Sequence, residues 1–221
     1  MTDAKLRRDA ARNRELLLAA GREVFAARGL GATLNDVAHH AGLGVGTAYR
    51  RFPNKEALID AIAIRQVEEL EAILTDALAV PDPWEGIVLY LERSLAIQTK
   101  DRGMAQVLSG QHTRPREHDS GRDRLAPLVN RLVKRAREAG QIRPDATGTD
   151  LILIQVALTA LARTAADAPP VPGREDLDQL YRRYLGLFLD GLRPRRDDAA
   201  DLPVPALTAE QTHVMLGALR S

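Results

Sequence analysis

The stretch Thr33–Lys55, TLNDVAHHAGLGVGTAYRRFPNK, decides the fold of this chain. Thr33 with Asp36 three residues later is the pattern that caps the start of a helix. Gly42 falls where that short helix must end, because glycine adopts the left-handed conformation that closes helices. A second short helix, Val45–Arg51, follows at once. Two short helices joined by a tight turn predict a helix-turn-helix.

The second of these helices carries side chains suited to nucleic acid. Thr47 and Tyr49 present hydroxyls that can donate to phosphate oxygens. Arg50 can reach the O6/N7 edge of a guanine, and Val45 with the Thr47 methyl can touch thymine methyls. Lys55 opens the next helix, where a phosphate is favoured. An ordinary helical hairpin with a solvated basic end has the same spacing, so spacing alone leaves both interpretations open.

The charge distribution favours a polyanionic partner for the first part of the chain. Residues 1–55 hold ten Lys and Arg against five Asp and Glu, whereas the remaining 166 residues hold 21 against 25. The net charge of +1 therefore combines a head of +5 with a body of −4. Such asymmetry is typical of chains that bind a polyanion with one part.

Composition excludes several function classes. The 221 residues include no cysteine, which rules out thiol catalysis, thiolate zinc sites and disulfides. No apolar run reaches the roughly 18–20 residues of a membrane span, and Leu151–Leu161 is the longest. The first fifteen residues lack the apolar stretch of a signal peptide. We therefore expect a cytoplasmic protein without a membrane partner.

Hydrophobic periodicity outside the opening stretch is helical throughout, so we predict an all-α fold. An N-terminal three-helix helix-turn-helix head, residues 1–55, precedes a larger helical ligand-binding and dimerisation body, residues 56–221, with the helix from residue 54 as connector. The polar stretch 111–122 has no apolar period and is predicted to be a loop. The predicted helices are Arg12–Arg28, Thr33 to His40 or Ala41, Val45–Arg51, Lys55–Leu78, Trp84–Lys100, Arg124–Ala139, Thr149–Ala166, Leu177–Leu192 and Thr208–Leu219.

The segment GVGTAYRRFPNKEAL resembles the signature of TetR-family transcriptional regulators, in which a Gly-Thr-x-Tyr-x-x-Phe-x-x-Lys run spans the recognition helix. The match is carried by Gly46, Thr47, Tyr49, Phe52, Lys55, Glu56 and Leu58. Residues 27–38 are similar to the family as well. Gly44 departs from it, because the family usually has a capping Ser there, so only the backbone amide of Gly44 is expected to contact DNA.

The body resembles the family only in helix count and order, although Asp82–Glu85 and residues 101–103 are similar to an actinobacterial subset. The resemblance implies a homodimer on double-stranded operator DNA, with the last two main helices forming a four-helix bundle across a two-fold axis. It also implies a small-molecule effector, with no cofactor. The predicted DNA contacts are Thr33, Gly44, Val45, Gly46, Thr47, Tyr49, Arg50 and Lys55.

Two further sets of residues follow from the apolar character of the body helices. Leu151–Leu161 and Leu177–Leu192 have more apolar surface than one chain needs to cover, which predicts an interface between two copies. Its predicted residues are Leu151, Ile154, Leu158, Leu177, Tyr181, Tyr184 and Phe188. Polar groups on the otherwise apolar mid-body helices are candidate effector contacts, although an ordinary buried hydrogen bond or a surface position explains each one as well. These are Tyr90, Arg93, Gln98, Gln106, His112, Gln155, Thr159 and Arg163.

The polar loop His112–Ser120 is the one segment that invites a catalytic or metal interpretation. Its His and Asp spacing fits no common zinc pattern, and no rigid turn presents its serine as a nucleophile. We therefore expect a solvated loop, with a gate to the effector pocket as alternative, and no metal site. The function predicted is that of a non-enzymatic, ligand-responsive transcriptional regulator, a repressor that binds an inverted-repeat operator. The alternatives are a DNA-compacting architectural protein and a helical enzyme with an appended DNA-binding head.

Overall fold

The computed structural model describes residues 2–100, 115–167 and 176–194. All regular structure in these ranges is helical, which confirms the all-α prediction. Short 3-10 turns at Gly29–Gly31 and Leu177–Gln179 interrupt the α-helices. The α-helices are α1 Thr2–Arg28, α2 Leu34–His40, α3 Val45–Arg51, α4 Lys55–Ala79, α5 Pro83–Lys100, α6 Pro115–Glu138, α7 Gly148–Asp167 and α8 Leu180–Leu192.

Two of these helices begin earlier than periodicity predicts. Helix α1 begins at Thr2, not Arg12, and α6 begins at Pro115, so the prediction of a loop over 111–122 is wrong from Pro115 onward. Both added segments are polar and contain no apolar stripe, although their Ala, Arg and Glu residues are good helix formers. Pro115 is at the first position of its helix, where the missing N–H costs nothing. The predicted helix near Thr208 lies outside the described residues.

The chain divides into two compact units, and within the described helices the divisions fall inside α4, between Glu68 and Glu69, and inside α6, between Gly121 and Arg122, with residues 115–121 in the first unit. We call the first unit the head and the second the body. In the head, α1, α2, α3 and the first half of α4 enclose a core that includes Leu17, Phe25, Val37, Ala48 and Ile62. The long helix therefore belongs to the head core as well as to the body.

The body core is built by the second half of α4 with α5, α6, α7 and α8. Leu74, Leu91, Leu132 and Leu151 are fully buried in it. Helix α7 packs against α5 and α8. Of the described residues, Gly148–Ala166 alone is long and apolar enough to cross a bilayer, with a mean hydropathy of 1.3. Core helices of globular proteins meet the same measure, so this is weak evidence for a membrane.

Side chains close the helix ends. The Asn54 carboxamide oxygen accepts the Ala57 amide at 2.8 Å, and the Asp82 carboxylate accepts the Trp84 amide at 2.8 Å, which caps the starts of α4 and α5. The end of α4 is closed by Arg135 of α6. Its guanidinium donates to the carbonyls of Leu78, Val80 and Pro81 at 2.9, 2.6 and 2.6 Å. The Leu78 carbonyl lies in the last turn of α4, where carbonyls have no partner within the helix, and Val80 and Pro81 follow the helix directly.

Candidate nucleic-acid interface and buried polar cluster

The turn of the helix-turn-helix is set by Gly42. Its φ of +66° is left-handed, a conformation that costs other residues free energy. The Gly42 amide donates to the His39 carbonyl at 3.1 Å and the Leu43 amide to the Ala38 carbonyl at 2.9 Å. This pair of bonds is the Schellman motif, which ends α2 and starts the chain toward α3. The sequence prediction of the turn is confirmed at this glycine.

The start of α2 is fixed by a reciprocal cap. The Asp36 amide donates to the Thr33 hydroxyl at 3.2 Å, and the Thr33 amide donates to the Asp36 carboxylate at 2.8 Å. The Thr33 hydroxyl also donates to that carboxylate at 2.6 Å. These hydrogen bonds, with nearby Arg28, hold the pKa of Asp36 below its ordinary value. Thr33 is exposed, but its hydroxyl is engaged in the hydrogen bonds of the helix cap.

The recognition helix α3 is anchored by the buried Ala48 and by Val45, a predicted DNA contact that is half-buried and packs against the head core. Ala48 is fully buried, and Tyr49 and Arg50 on the adjacent turn are exposed. The Arg50 guanidinium donates to the Thr47 hydroxyl at 3.0 Å. Two residues predicted to contact DNA separately therefore contact each other, on the outer face of the helix.

Glycine occupies two positions at the start of α3, Gly44 directly before the helix and Gly46 in its first turn. A Cβ on Gly44 would meet nothing within 4 Å, and a Cβ on Gly46 would meet only the Arg50 guanidinium at 3.8 Å. Gly44 has a φ of −65°, which any residue adopts, and makes no side-chain cap. Because neither glycine is required by the fold, their presence at an exposed helix start fits close approach by another molecule.

Contacts that the sequence did not predict brace the head. The Arg14 guanidinium of α1 lies 5.5 Å from the centroid of the Phe52 ring, directly after α3. The His40 imidazole of α2 is 2.6 Å from the Glu23 carboxylate of α1. No local sequence pattern marks the partner of His40, which lies seventeen residues earlier. Lys55 is half-buried at the start of α4.

Four predicted effector residues form one cluster inside the body. Gln98 of α5 donates its amide to the Gln155 carboxamide oxygen at 3.0 Å, and the Thr159 hydroxyl donates to the Gln98 oxygen at 3.1 Å. Tyr90 is buried beside Gln155. Burial raises the pKa of the Tyr90 phenol, and Gln155 opposes part of that rise. The buried Gln155 Nε2 makes no hydrogen bond of good geometry.

The other predicted effector residues do not join this cluster. Arg93 is exposed and pairs with Asp76 at 2.9 Å, beside an open groove of about 460 Å³ between α5 and α8. Arg163 is half-exposed. Gln106 and His112 lie outside the described residues. Sequence reasoning missed Gln66 of α4, which is fully buried with neither amide atom hydrogen-bonded. The sign of this residue in the sequence is that a polar glutamine stands between the apolar positions of α4.

The predicted interface residues separate into two groups. Leu151, Leu158 and Tyr181 are buried in the body core of their own chain, so their side chains have no surface left for a partner. A helical period of apolar residues does not show whether a side chain is buried within its own chain or against a partner chain. Ile154, Phe188 and Leu177 are half-buried, and Tyr184 is 44% exposed. Val156 and Leu187, which were not predicted, add large exposed apolar surface on α7 and α8.

No three His, Asp or Glu side chains converge as metal ligands in the described part of the chain. The backbone of residues 115–120 is helical, so His118, Asp119 and Ser120 do not stand in the loop that was predicted for them. The head thus presents the geometry of DNA recognition, and the body a buried polar cluster.

Comparison with known proteins agrees with both the helix-turn-helix head and the helical body. Residues 17–62 match the family model "Bacterial regulatory proteins, tetR family", and residues 82–194 match "Transcriptional regulator SbtR-like, C-terminal domain". The chain is 25% identical over 139 residues to the HTH-type transcriptional regulator SrpR of Pseudomonas putida, a match spanning 61% of this chain and 65% of SrpR. The match therefore spans slightly less than two thirds of that relative.

Solved structures cover more of the chain. A TetR transcriptional regulator from Streptomyces coelicolor is 32% identical with a TM-score of 0.61, over 83% of this chain and 99% of the other. A TetR regulatory protein from Mycobacterium vanbaalenii is 27% identical with a TM-score of 0.62, over 85% and 99%. With its helix-turn-helix head and its helical body both matched, the chain belongs to the TetR family of bacterial transcriptional regulators.

Proposed function

We propose that this chain is a ligand-responsive repressor that binds an inverted-repeat operator as a homodimer in the cytoplasm, without enzymatic activity. The observation that carries the DNA half is α3 itself. Its outer face combines Thr47, Tyr49 and Arg50 with the bare backbone of Gly44 and Gly46. Hydroxyls position a protein on phosphates, and a guanidinium reads guanine.

Dimerisation is supported by the apolar surface that α7 and α8 leave uncovered. Val156, Tyr184 and Leu187 are 41%, 44% and 58% exposed. Exposed apolar residues of this size on two helices that pack against each other are typical of protein interfaces. A two-fold dimer presents two recognition helices, and half-sites about 34 Å apart then follow from the helical repeat of DNA.

The cluster of Tyr90, Gln98, Gln155 and Thr159 supports an effector site in the body. A buried donor without a partner costs about 1–3 kcal/mol. The Gln155 Nε2 makes no hydrogen bond of good geometry, and the Tyr90 phenol is the polar group beside it. The buried polar residues of the described body are Ser94, Gln155 and Thr159, and none is charged. We therefore infer a mainly apolar, uncharged effector with an oxygen or nitrogen that accepts a hydrogen bond from Gln155.

Coupling between effector and DNA is assigned to α4. Leu58 and Ile62 of this helix lie in the head core, and Ile73 and Leu74 lie in the body core. An effector that binds more tightly when α4 has a different orientation lowers the population of the orientation in which both heads of the dimer fit the operator. A coupling free energy of about 1–3 kcal/mol weakens operator binding roughly 5–150-fold.

Selection from a random duplex library tests the DNA half. The wild-type chain is expected to enrich an inverted repeat with half-site centres one helical turn apart. An architectural protein enriches no sequence and binds every duplex with the same salt dependence, so that result would overturn the proposal. Sedimentation of the complex with the selected duplex gives the number of chains bound.

Release of the selected duplex by small molecules tests the effector half. A compound that acts through the cluster is expected to release DNA from wild type and from Arg93→Ala, because Arg93 is exposed and pairs with Asp76, which is not a member of the cluster. The same compound is expected to lose its effect on Gln155→Leu. A compound that releases DNA equally from all three proteins acts elsewhere, and would place the effector site outside this cluster.

A further inference from the structure

Two carboxamides in the body are linked so that neither can reverse alone. The Gln98 Nε2 donates to the Gln155 Oε1 at 3.0 Å, and the Gln98 Oε1 accepts the Thr159 hydroxyl at 3.1 Å. Reversing Gln155 alone would bring two NH₂ groups face to face, and reversing Gln98 alone would do the same with two carbonyl oxygens. Because unpaired polar groups are costly inside a protein, the two carboxamides must reverse together.

The hydrogen bonds of this cluster all run in one direction. Thr159 donates to Gln98, Gln98 donates to Gln155, and the Gln155 Nε2 is left at the Tyr90 end. Burial raises the pKa of the Tyr90 phenol, and Gln155 opposes part of that rise. An N–H beside the phenol oxygen has this effect, because it favours the phenolate. The free donors of the chain, from Gln155 and the phenol, therefore collect at the Tyr90 end.

The other end of the chain is supplied by a threonine that turns toward the neighbouring helix. Thr99 of α5 and Thr164 of α7 donate to the backbone carbonyl four residues earlier, at 2.8 and 3.1 Å. The Thr159 hydroxyl donates instead to Gln98 on the other helix. Ser94, which is buried between Tyr90 and Gln98 in the sequence of α5, donates to carbonyls of its own helix and stays outside the chain.

We propose that Gln98 determines which hydrogen-bonding groups the cluster offers to the effector. In the arrangement observed, the Tyr90 end offers donors. The site therefore takes an uncharged effector that carries an acceptor, such as a ketone, and discriminates against one that carries only a donor. This inference rests on the proposed effector site. It adds Gln98 as a positioning residue that acts on specificity through Gln155.

Gln98→Glu is the variant that reverses the chain without leaving a polar group unpaired. A carboxylate only accepts hydrogen bonds, so it accepts both the Thr159 hydroxyl and the Gln155 Nε2. Gln155 then presents its carbonyl oxygen to Tyr90, and the phenol donates to that oxygen. Residue 98 is half-buried, which leaves the new charge partly hydrated.

Two controls accompany this variant. Gln179→Glu adds the same charge to the body at an exposed position. Gln98→Met keeps the length of the side chain and removes both hydrogen bonds without adding charge. Melting temperatures establish first that each variant is folded.

The Raman Fermi doublet of tyrosine tests the direction of the chain without any ligand, because its intensity ratio distinguishes a phenol that donates from one that accepts. The contribution of Tyr90 is obtained by subtracting the spectrum of Tyr90→Phe in each background. Tyr90 is expected to accept in wild type and in Gln179→Glu, and to donate in Gln98→Glu. A wild-type doublet in folded Gln98→Glu would overturn the proposal.

Binding of two small probes tests the consequence for specificity. Acetophenone carries an acceptor and no donor, and indole, with the same number of heavy atoms, carries an N–H donor and no lone-pair acceptor. Wild type and Gln179→Glu are expected to bind acetophenone about threefold to tenfold more tightly than indole, which is the effect of one hydrogen bond. The methyl resonance of Thr159 follows the titrations.

The two substitutions at residue 98 are expected to change this preference differently. Gln98→Glu should prefer indole, and Gln98→Met should bind the two probes about equally. Gln98→Met keeps the test decisive if Gln98→Glu does not fold. A wild type without preference for acetophenone, or a wild-type preference in Gln98→Met, would overturn the specificity role of Gln98.

These outcomes are separate from those that test the proposed function, because neither readout contains DNA. A chain that selects no operator still supports the role of Gln98 if Gln98→Glu reverses both the Tyr90 doublet and the order of the two probes. A reversed doublet with an unchanged order of the probes overturns that role and leaves operator binding unaffected.

Discussion

The Arg50 guanidinium donates a hydrogen bond of 3.0 Å to the Thr47 hydroxyl, one turn earlier on the recognition helix. A threonine that holds an arginine restricts the directions in which the arginine can reach a base. Arg50→Ala is expected to cost about 1–3 kcal/mol at one base pair and to relax the choice there. Competition with singly substituted duplexes measures this. A uniform loss on all duplexes would identify Arg50 as a phosphate contact.

The isosteric change Thr47→Val tests whether the hydrogen bond matters for recognition. It removes the hydroxyl and keeps the shape. If Thr47 orients Arg50, the two substitutions are not additive, and the double-mutant cycle gives a coupling above about 0.5 kcal/mol. Additive effects would show that the two side chains contact DNA independently.

Gly46→Ala is expected to separate stability from DNA binding. A Cβ at Gly46 meets no atom closer than 3.8 Å, so the helix should gain about 0.5–1 kcal/mol of unfolding free energy. The same methyl is expected to weaken operator binding if DNA approaches the backbone there. Gly186→Ala in α8 is the control, since its Cβ also meets nothing within 4 Å. Equal operator affinity in both variants would contradict a close approach at Gly46.

Leu187→Glu is expected to convert a dimer into monomers. Leu187 is 58% exposed, and a carboxylate at that position would be buried without a partner in a packed interface. Leu16→Glu, at a 39% exposed leucine of α1, is the control and should leave the mass unchanged. Sedimentation equilibrium measures both. A dimer that survives Leu187→Glu must use another face.

Gln66→Leu is expected to raise the free energy of unfolding by about 1–3 kcal/mol, because it removes a buried amide that has no partner. Gln98→Leu is the matched control, and it is expected to lower the free energy of unfolding. Gln98 makes hydrogen bonds to both Gln155 and Thr159, whose polar atoms the leucine would leave without it. Urea denaturation measures both variants. A loss of stability in Gln66→Leu would contradict the absence of a partner for Gln66.

Acid pH is expected to destabilise both units through their carboxylate caps. The Thr33 hydroxyl and amide lower the pKa of Asp36, and the Trp84 amide lowers the pKa of Asp82. A folded-state pKa below the unfolded value contributes stability above about pH 4, which is lost as the pH falls through the folded-state pKa. Melting temperatures should therefore depend less on pH between 5 and 2 in Asp36→Asn and Asp82→Asn. Unchanged pH profiles would refute this role.

The head was predictable because its signals are local. Thr33 with Asp36, Gly42 and Asn54 each act within a few residues, and the structure has a capping box, a left-handed turn and a helix cap at these positions. The braces between Arg14 and Phe52 and between Glu23 and His40 were not predictable, because each joins residues far apart in sequence.

The two helix starts that were placed too late share one physical cause. Residues 2–11 of α1 and the first turns of α6 are polar, and periodicity detects only helices that bury a stripe. The interface prediction failed at Leu151 for the converse reason. A buried apolar side chain has the same sequence signature whether its own chain or a partner covers it.

Arg135 closes α4 with a group that keeps its charge at every accessible pH, since a guanidinium is not deprotonated in proteins. The starts of α2 and α5 depend instead on carboxylates that acid neutralises. The end of α4 and the starts of α2 and α5 therefore differ in acid resistance. Acidification should fray α2 and α5 from their first turns while the last turn of α4 remains held, so acid unfolding has a defined order along the chain.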